Sequence, residues 1–524
     1  MKKELIEKGL SEIDFYFGEA LSEREEVVFF LAVLLFFSRQ GHICVKVTEE
    51  EIIPSLSLFE EYEEPLKEKI LKALPYLEGL PIHSFNNRFY LLRNWNHETL
   101  FIEHVKRLVF QDVERIECSL EDPSLAPEQK AAIDKALTLP LSIITGGPGT
   151  GKTYTAAKLV EAFLASSKEA RIILTAPTGK AAARLEESLG KYVEGSFKAQ
   201  TLHSLLGIYT NLDFERKSTL IYADLIIVDE CSMIDARLFS FFLASLKKGT
   251  RLVLMGDPFQ LPSVEAGSFF ADLMEAFPSL STCLKLNFRS EQDSIKELGR
   301  ALLEKGEEEV LKQIEKFSSQ EKFSFENLLA YVKKYCPLPS KEKPEEEMLL
   351  KDLEAFRILS SMRKGPLGVD ALNKKIASTL FSEMRTGEFL ALPILIIKNN
   401  YELGLYNGQS GIVVRKKREG KMDLYSFDEE DMAFFPGGKT FKCALLPFFE
   451  YAYAISVHKS QGSEYDRVLL LIPPGSEVFG KEVLYTAVTR AKKHLEIEAR
   501  VSIIQAALKK IPLRGSGFKE RILL

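Results

Sequence analysis

The stretch Gly146-Gly147-Pro148-Gly149-Thr150-Gly151-Lys152-Thr153 has the spacing GxxxxGK[ST] with no departures. Glycines at these positions let consecutive backbone N–H groups wrap a phosphate. A helix opening at the end of the loop adds the partial positive charge of its N-terminus. Lys152 is then placed to meet the β- and γ-phosphates of a nucleoside triphosphate, and the Thr153 hydroxyl to hold Mg2+. Further along, the apolar run Leu225–Val228 ends in Asp229-Glu230. Carboxylates at the C-terminal end of a parallel strand lie beside the phosphate loop of the same sheet. So placed, Asp229 binds Mg2+ directly or through water, and Glu230 orients and deprotonates the attacking water. The chemistry is nucleoside triphosphate hydrolysis, shared by many P-loop proteins.

Such a loop needs a strand before it and a helix after it. Leu141–Thr145 supplies the strand, and a helix is expected to begin near Thr153. Short β-branched runs at 141–145, 171–176, 225–228 and 251–255 alternate with helical stretches, the pattern of a buried parallel sheet in an α/β domain. Residues 1 to about 110 read as helical. Their apolar run 27–37 is 11 residues long, too short to span a bilayer; it is either core or a surface for another protein. A polar joint follows at 118–128, and a charged helical connection covers 305–348. From 393 to 449 the character is β, with Asn407-Gly408 as a turn signal and a hairpin expected from 412–414 through a basic turn, 415–420, to 422–427. Residues 451–500 return to strand–helix alternation. The basic run Arg415-Lys416-Lys417-Arg418 reads as a solvated turn, with DNA contact as the other option.

The chain has 524 residues, enough for three or four domains, with 46% hydrophobic and 27% charged residues. Disorder, collagen and coiled coil are excluded as whole-chain readings. A net charge of −6 does not suit a protein that coats duplex DNA by bulk positive charge, though a local basic channel remains open. Six cysteines lie scattered with no CxxC pair, so a disulfide framework or zinc site is not expected and a reducing compartment fits. The N-terminus lacks a signal-peptide apolar core, and a cytoplasmic location with no membrane partner is expected.

Five further segments, read in order, resemble superfamily 1 helicases: 176–182 (APTGKAA), 256–264 (GDPFQLPSV), 286–289 (LNFR), 457–464 (VHKSQGSE) and 485–492 (YTAVTRAK). The GDPFQLPSV form is similar to the 1B branch, whose members move 5′→3′. Within that branch, 199–207 (AQTLHSLLG), 365–369 (GPLGV) followed by Leu372-Asn373, 403–408 (LGLYNG) and, in the head, 41–44 (GHIC) resemble the α-subunit family of exodeoxyribonuclease V. Coverage is strong over about 125–500 and thin over 1–110.

That resemblance implies an α/β fold with two RecA-like P-loop domains, an N-terminal helical domain and a small SH3-like β insert. The implied division is 1–115 (helical, partner-binding), 116–290 (first motor domain), 291–385 (connection and start of the second), 386–449 (β insert) and 450–524 (rest of the second). It implies ATP and Mg2+ as ligands, with Gln129 reading adenine, Gln260 sensing the γ-phosphate, and Arg289 and Arg490 reaching the transferred phosphate. Without the family, Gln129 is a surface residue before a helix and either arginine a surface salt bridge. Thr178, Lys180, His203, His458, Lys459 and Ser460 match positions that line a single-strand channel, where small hydroxyls and amides hold phosphate and sugar without reading sequence; the two histidines are alternatively satisfied core groups. The implied activity is a 5′→3′ helicase and translocase acting on single-stranded DNA and duplex ends, in a heterotrimer with RecB-like and RecC-like subunits for break repair and recombination, with the nuclease in another subunit. A free-standing helicase of the branch, a structural ATP-binding subunit and an RNA helicase are the competing readings.

Overall fold

The apolar runs around the phosphate loop lie side by side in one six-stranded sheet. The computed structural model describes the chain apart from residues 117–121, 194, 196, 216–218, 264, 286–292, 319–323, 337–338, 401, 420–422, 447 and 511–514. In this first sheet the strand order is Ser281–Cys283, Leu141–Thr145, Arg251–Gly256, Leu225–Val228, Ile172–Ala176, Ala199–Thr201, and every neighbouring pair is parallel. A strand covered on both faces must be apolar at consecutive positions, and Leu225–Val228 is buried throughout. Alternate residues feed two cores. Ile144, Leu225 and Ile227 meet the helices Pro127–Thr138, Lys152–Ser166 and Gly179–Gly190. Ile143, Ile226 and Val228 meet Leu92–Val109, Ala236–Ala244 and Phe269–Ala276.

A second parallel sheet has the order Ala454–Ser456, Phe356–Ser360, Tyr465–Ile472, Ala491–Ala499. Between its adjacent strands Phe356–Ser360 and Ala454–Ser456 the chain leaves to form a five-stranded antiparallel insert, ordered Lys439–Lys442, Met432–Phe435, Ser410–Lys416, Phe389–Ile396, Phe449–Tyr451. The charged connection is helical at Glu307–Glu315, Phe325–Tyr335 and Glu346–Ala355, each with one buried apolar stripe.

Three expectations need correction. The head is not all helical: Ile52–Ile53, Cys44–Val47, Arg88–Leu91 and Ile82–Phe85 form an antiparallel sheet. Its hairpin turns at Asn86 and Asn87, both at positive φ (46° and 59°), a two-residue turn that asparagine tolerates. The insert's hairpin partner for Ser410–Lys416 is Met432–Phe435, not 422–427; Gly420 and Met422, which bounded the expected turn and strand, lie outside the described residues. Arg415 is no solvated turn residue. It is 1% exposed, ion-pairs with Asp431 at 3.0 Å and donates to the carbonyls of Asp423, Leu424 and Ser426. The run 27–37 falls in the helix Glu25–Arg39, whose apolar side chains are the head's own core.

The head and the first sheet share a core. Phe101 of the helix Leu92–Val109 stacks on Phe269 at 4.2 Å and packs with Phe518, from the C-terminal helix Phe518–Ile522. Among the described residues no helix is long and apolar enough to cross a membrane.

Candidate functional site

The strand Leu141–Thr145 delivers the chain into the glycine loop, and the helix Lys152–Ser166 leaves it. Gly149 and Gly151 take φ of 81° and 83°, a region open to glycine at little cost. A Cβ on Gly146 would lie 2.5 Å from Thr150 Oγ1 and 2.9 Å from the Leu284 carbonyl, so the cradle admits no side chain there. Thr150 Oγ1 donates to the Gly147 carbonyl at 2.9 Å, closing the loop. Lys152 Nζ donates to the carbonyls of Gly146 (2.7 Å) and Gly147 (3.1 Å), which hold the ammonium over the cradle.

Facing the loop, Asp229 Oδ1 accepts from the Glu230 N–H at 2.8 Å. Withdrawal from water and then the neighbouring Glu230 carboxylate push Asp229 up to about 6, against the pull of Lys152. A carboxylate in that condition suits a divalent cation, which removes the cost of its charge. Glu230 stands at φ 52°, an uncommon conformation for a residue with a side chain. Gln260 is 3% exposed; its Nε2 donates to Asp257 Oδ2 at 3.1 Å, while its buried Oε1 has no hydrogen-bond partner among the described residues. That oxygen fits a water donor.

The second sheet's lobe closes the other wall. Arg490 is 2% exposed and is held by the carbonyls of Thr486 (2.9 Å) and Ser463 (3.1 Å) and by Thr489 Oγ1 (3.2 Å). Arg490 lines one cleft with Pro148, Gly149, Gly151, Lys152, Thr153, Asp229, Glu230 and Gln260. The sequence thus brings lysine, hydroxyl and acids from one sheet to an arginine from the other. Arg289 lies outside the described residues. Gln129 is 2% exposed, and its Oε1 caps the helix Pro127–Thr138 by accepting from the Ala126 N–H at 3.0 Å.

The residues matched to a strand channel divide. Thr178 caps the helix Gly179–Gly190, its Oγ1 accepting from the Ala181 N–H at 3.2 Å. Lys180 is lowered by burial, with Tyr465 and Arg357 of the second lobe beside it. His203 is lowered by burial, and His458 packs edge-on against Phe479 at 5.5 Å. Lys459 ion-pairs with Glu450 at 2.5 Å. Ser460 is fully buried and donates to the Val457 carbonyl at 2.6 Å, so it shapes the 458–460 turn from within.

Residue-by-residue reading missed the seam itself. Arg184 lines the cleft, donates to the Gly462 carbonyl at 2.8 Å and pairs with Glu464 at 3.3 Å. Thr486 Oγ1 accepts from the Leu261 N–H at 2.7 Å, and Gln461 donates to the Leu261 carbonyl. One signal was present: Arg184 follows Lys180 by four residues, one turn along the same helix face.

Two parallel-sheet lobes that grip one phosphate cleft, with a lysine on one side and an arginine from the other, define a P-loop ATPase motor of the helicase class. The chain is 33% identical over 493 residues to the RecBCD enzyme subunit RecD of Mycolicibacterium smegmatis, covering 86% of this chain and 85% of that protein. It belongs to the RecD family and is an ATP-dependent DNA helicase of that family. A family model described as an AAA domain matches residues 124–324, and one described as a UvrD-like helicase C-terminal domain matches 451–497. The ATP-dependent RecD2 DNA helicase of Deinococcus radiodurans is 32% identical over 76% of this chain, which spans 52% of that protein. The crystal structure of Bacteroides Pif1 bound to ssDNA covers 73% of this chain and 94% of its own, with a TM-score of 0.42 and 18% identity.

Proposed function

We propose that this chain is the 5′→3′ motor subunit of a RecBCD-type heterotrimer, stepping along single-stranded DNA from duplex ends with RecB-like and RecC-like partners in the cytoplasm. Coverage of 85% of the M. smegmatis subunit supports the subunit reading. The observation that carries the motor reading is Arg490, delivered by the second lobe into the cleft that Lys152 lines.

In this reading Lys152 and the loop N–H groups bind the β- and γ-phosphates. Thr153 and Asp229 would hold Mg2+, which supplies charge neutralisation at those phosphates. Glu230 orients the attacking water and takes its proton, Gln260 senses the γ-phosphate, and Arg490 and Arg289 stabilise the charge spread over the transferred group. Gln129 sits where adenine is read. Loss of the γ-phosphate removes what both walls grip, and the cleft reopens. With Thr178, Lys180, His203, His458 and Lys459 along the strand path, and Ser460 acting through its turn, each cycle changes the spacing of two grips on DNA. Each base-pair step costs about 1.4 kcal/mol on average, well within one hydrolysis.

The division into a head (1–115), two RecA-like motor domains (116–290; 291–385 with 450–524) and an SH3-like insert (386–449) belongs to the same proposal. So does partner docking by the head, supported by exposed Ile13 and Tyr16 on one helix. Unwinding of partial duplexes with 5′ or 3′ tails, with and without the partner subunits, tests the whole. Separation of 5′-tailed duplexes is expected; separation only of 3′-tailed ones would reverse the polarity, and none at all would refute the motor.

A further inference from the structure

The Glu450 carboxylate joins two cations. Its Oε2 accepts from Arg363 Nη2 at 2.6 Å and its Oε1 from Lys459 Nζ at 2.5 Å. The three residues come from three separate places. Arg363 follows the strand Phe356–Ser360, Lys459 follows the neighbouring parallel strand Ala454–Ser456, and Glu450 lies in the insert's strand Phe449–Tyr451. Both cations thus stand just beyond the C-terminal ends of adjacent parallel strands, where open α/β sheets bind their ligands. Arg363 is 53% exposed and is also steered by Asp370 at 3.3 Å, while Lys459 and Glu450 are 23% and 19% exposed.

A carboxylate that takes one hydrogen bond on each oxygen from two different cations reproduces what two non-bridging oxygens of a phosphodiester offer. The surroundings carry the other half of single-strand chemistry. Phe448, two residues before Glu450, is 70% exposed, and Lys398 Nζ stands 5.8 Å from its ring. The Phe448 carbonyl accepts from the Ile397 N–H at 2.9 Å, which ties the backbone of this residue, two residues before Glu450, to the end of the strand Phe389–Ile396. An exposed ring next to backbone-binding cations is how sequence-tolerant single-strand sites are built.

We propose that Arg363 and Lys459 form a phosphate seat for the single strand, and that Glu450 occupies this seat in the DNA-free protein as an internal surrogate. Arg363 is thereby a DNA-binding residue in its own right. This rests on the reading of Lys459 as a channel residue. An entering phosphodiester displaces the carboxylate, so Glu450 weakens binding to any strand that does not complete the rest of the path.

The test measures binding of a fluorescent oligothymidine to the purified chain without nucleotide, across a series of salt concentrations. Glu450→Gln keeps the shape and removes the competing charge. It is expected to tighten binding about threefold to tenfold and to steepen the dependence of log K on log salt by about one. Arg363→Ala is expected to weaken binding and make the slope shallower by about the same amount, with the thermal midpoint held within a few degrees. Arg363→Lys restores part of the slope. Unchanged or weaker binding by Glu450→Gln, with normal folding, overturns the surrogate; an unchanged slope in Arg363→Ala overturns the seat. If the unmodified chain itself fails to bind the oligonucleotide, the channel reading has failed rather than this refinement of it.

Discussion

The hydroxyl of Tyr485, on the second lobe's helix Gly480–Val488, donates to Oδ2 of Asp257 at 3.0 Å, the same oxygen that accepts from Gln260. Tyr485 also presses on the phosphate loop, since a Cβ on Gly147 would lie 2.9 Å from its hydroxyl. Burial pushes the Asp257 carboxyl up, and the hydrogen bonds from Gln260, the Phe259 N–H and Tyr485 oppose that shift. One phenol therefore touches both the residue that orients Gln260 and the loop that grips phosphate, and it does so only when the lobes are together. A hydrogen bond to a charged group contributes about 1.5–3 kcal/mol. Tyr485→Phe should accordingly lower the kcat of DNA-stimulated ATP hydrolysis about tenfold or more. The KM for ATP should stay within about twofold, because the ground-state contacts to the phosphates are untouched. Equal losses in the presence and absence of DNA would mean that Tyr485 does not transmit closure.

Lys152 is half-buried and is held over the loop by two carbonyls, and it belongs to none of the apolar cores. Lys152→Gln should therefore abolish DNA-stimulated ATP hydrolysis while leaving the circular dichroism spectrum and thermal midpoint near those of the parent. Hydrolysis that survives the substitution would refute the phosphate-binding role.

Arg184 and Glu464 face each other across the seam, and the arginine side chain is 36% exposed. Glu464 is 11% exposed, so the pair is half-buried, and with solvent still screening the guanidinium it contributes little by itself, about 0–1 kcal/mol. Arg184 also donates to the Gly462 carbonyl and helps lower Asp229. Arg184→Ala should raise the KM for ATP about threefold. Glu464→Gln should have a smaller effect, because the Gly462 contact remains. A double-mutant cycle in the steady-state constants checks this: additive effects would show that the two side chains do not act together.

The strands beside the glycine loop were legible because full burial on both faces leaves little choice of residue. Leu141–Thr145 and Leu225–Val228 carry the same bounds in the structure as in the chain. The meeting of Arg490 with Lys152 was readable only through family likeness, since nothing in spacing joins residues so far apart. Elsewhere the sequence withheld the partner. Arg415 looks like a surface cation until Asp431, sixteen residues on, is placed against it. The head's strands are two to four residues long, too short for an alternating pattern to register. Their one clear sign, Asn86-Asn87 between Phe85 and Arg88, went unread. Ser460 sits in a motif read for DNA, yet its hydroxyl is spent on its own turn.

The return of the C-terminus was equally hidden, and it yields the last prediction. Arg521 pairs with Glu98 at 2.6 Å, the two side chains being 7% and 0% exposed, and its guanidinium covers the single tryptophan, Trp95, 3.4 Å from the ring centroid. The Gly517 N–H donates to the other Glu98 oxygen at 2.9 Å, and the Gly515 carbonyl accepts from the N–H groups of Ile43 and Cys44. Removing one partner of a buried pair leaves a charge without compensation and costs about 3–5 kcal/mol. Arg521→Ala should lower stability by that order, seen as a reduced midpoint in urea. The pH dependence has a definite sign. Burial already holds the Glu98 carboxyl above its ordinary value, with Arg521 pulling it down. Without Arg521 the folded-state value rises further. A raised carboxyl contributes its full stability below the unfolded-state value and loses it as pH climbs through the folded-state one. The deficit of Arg521→Ala should therefore be largest at neutral pH and shrink on acidification through the carboxylate range. A deficit that stayed constant or grew toward acid would show that the guanidinium acts through its packing on Trp95 alone. Glu98→Gln in the Arg521→Ala background should recover much of the loss at neutral pH, because it removes the stranded charge.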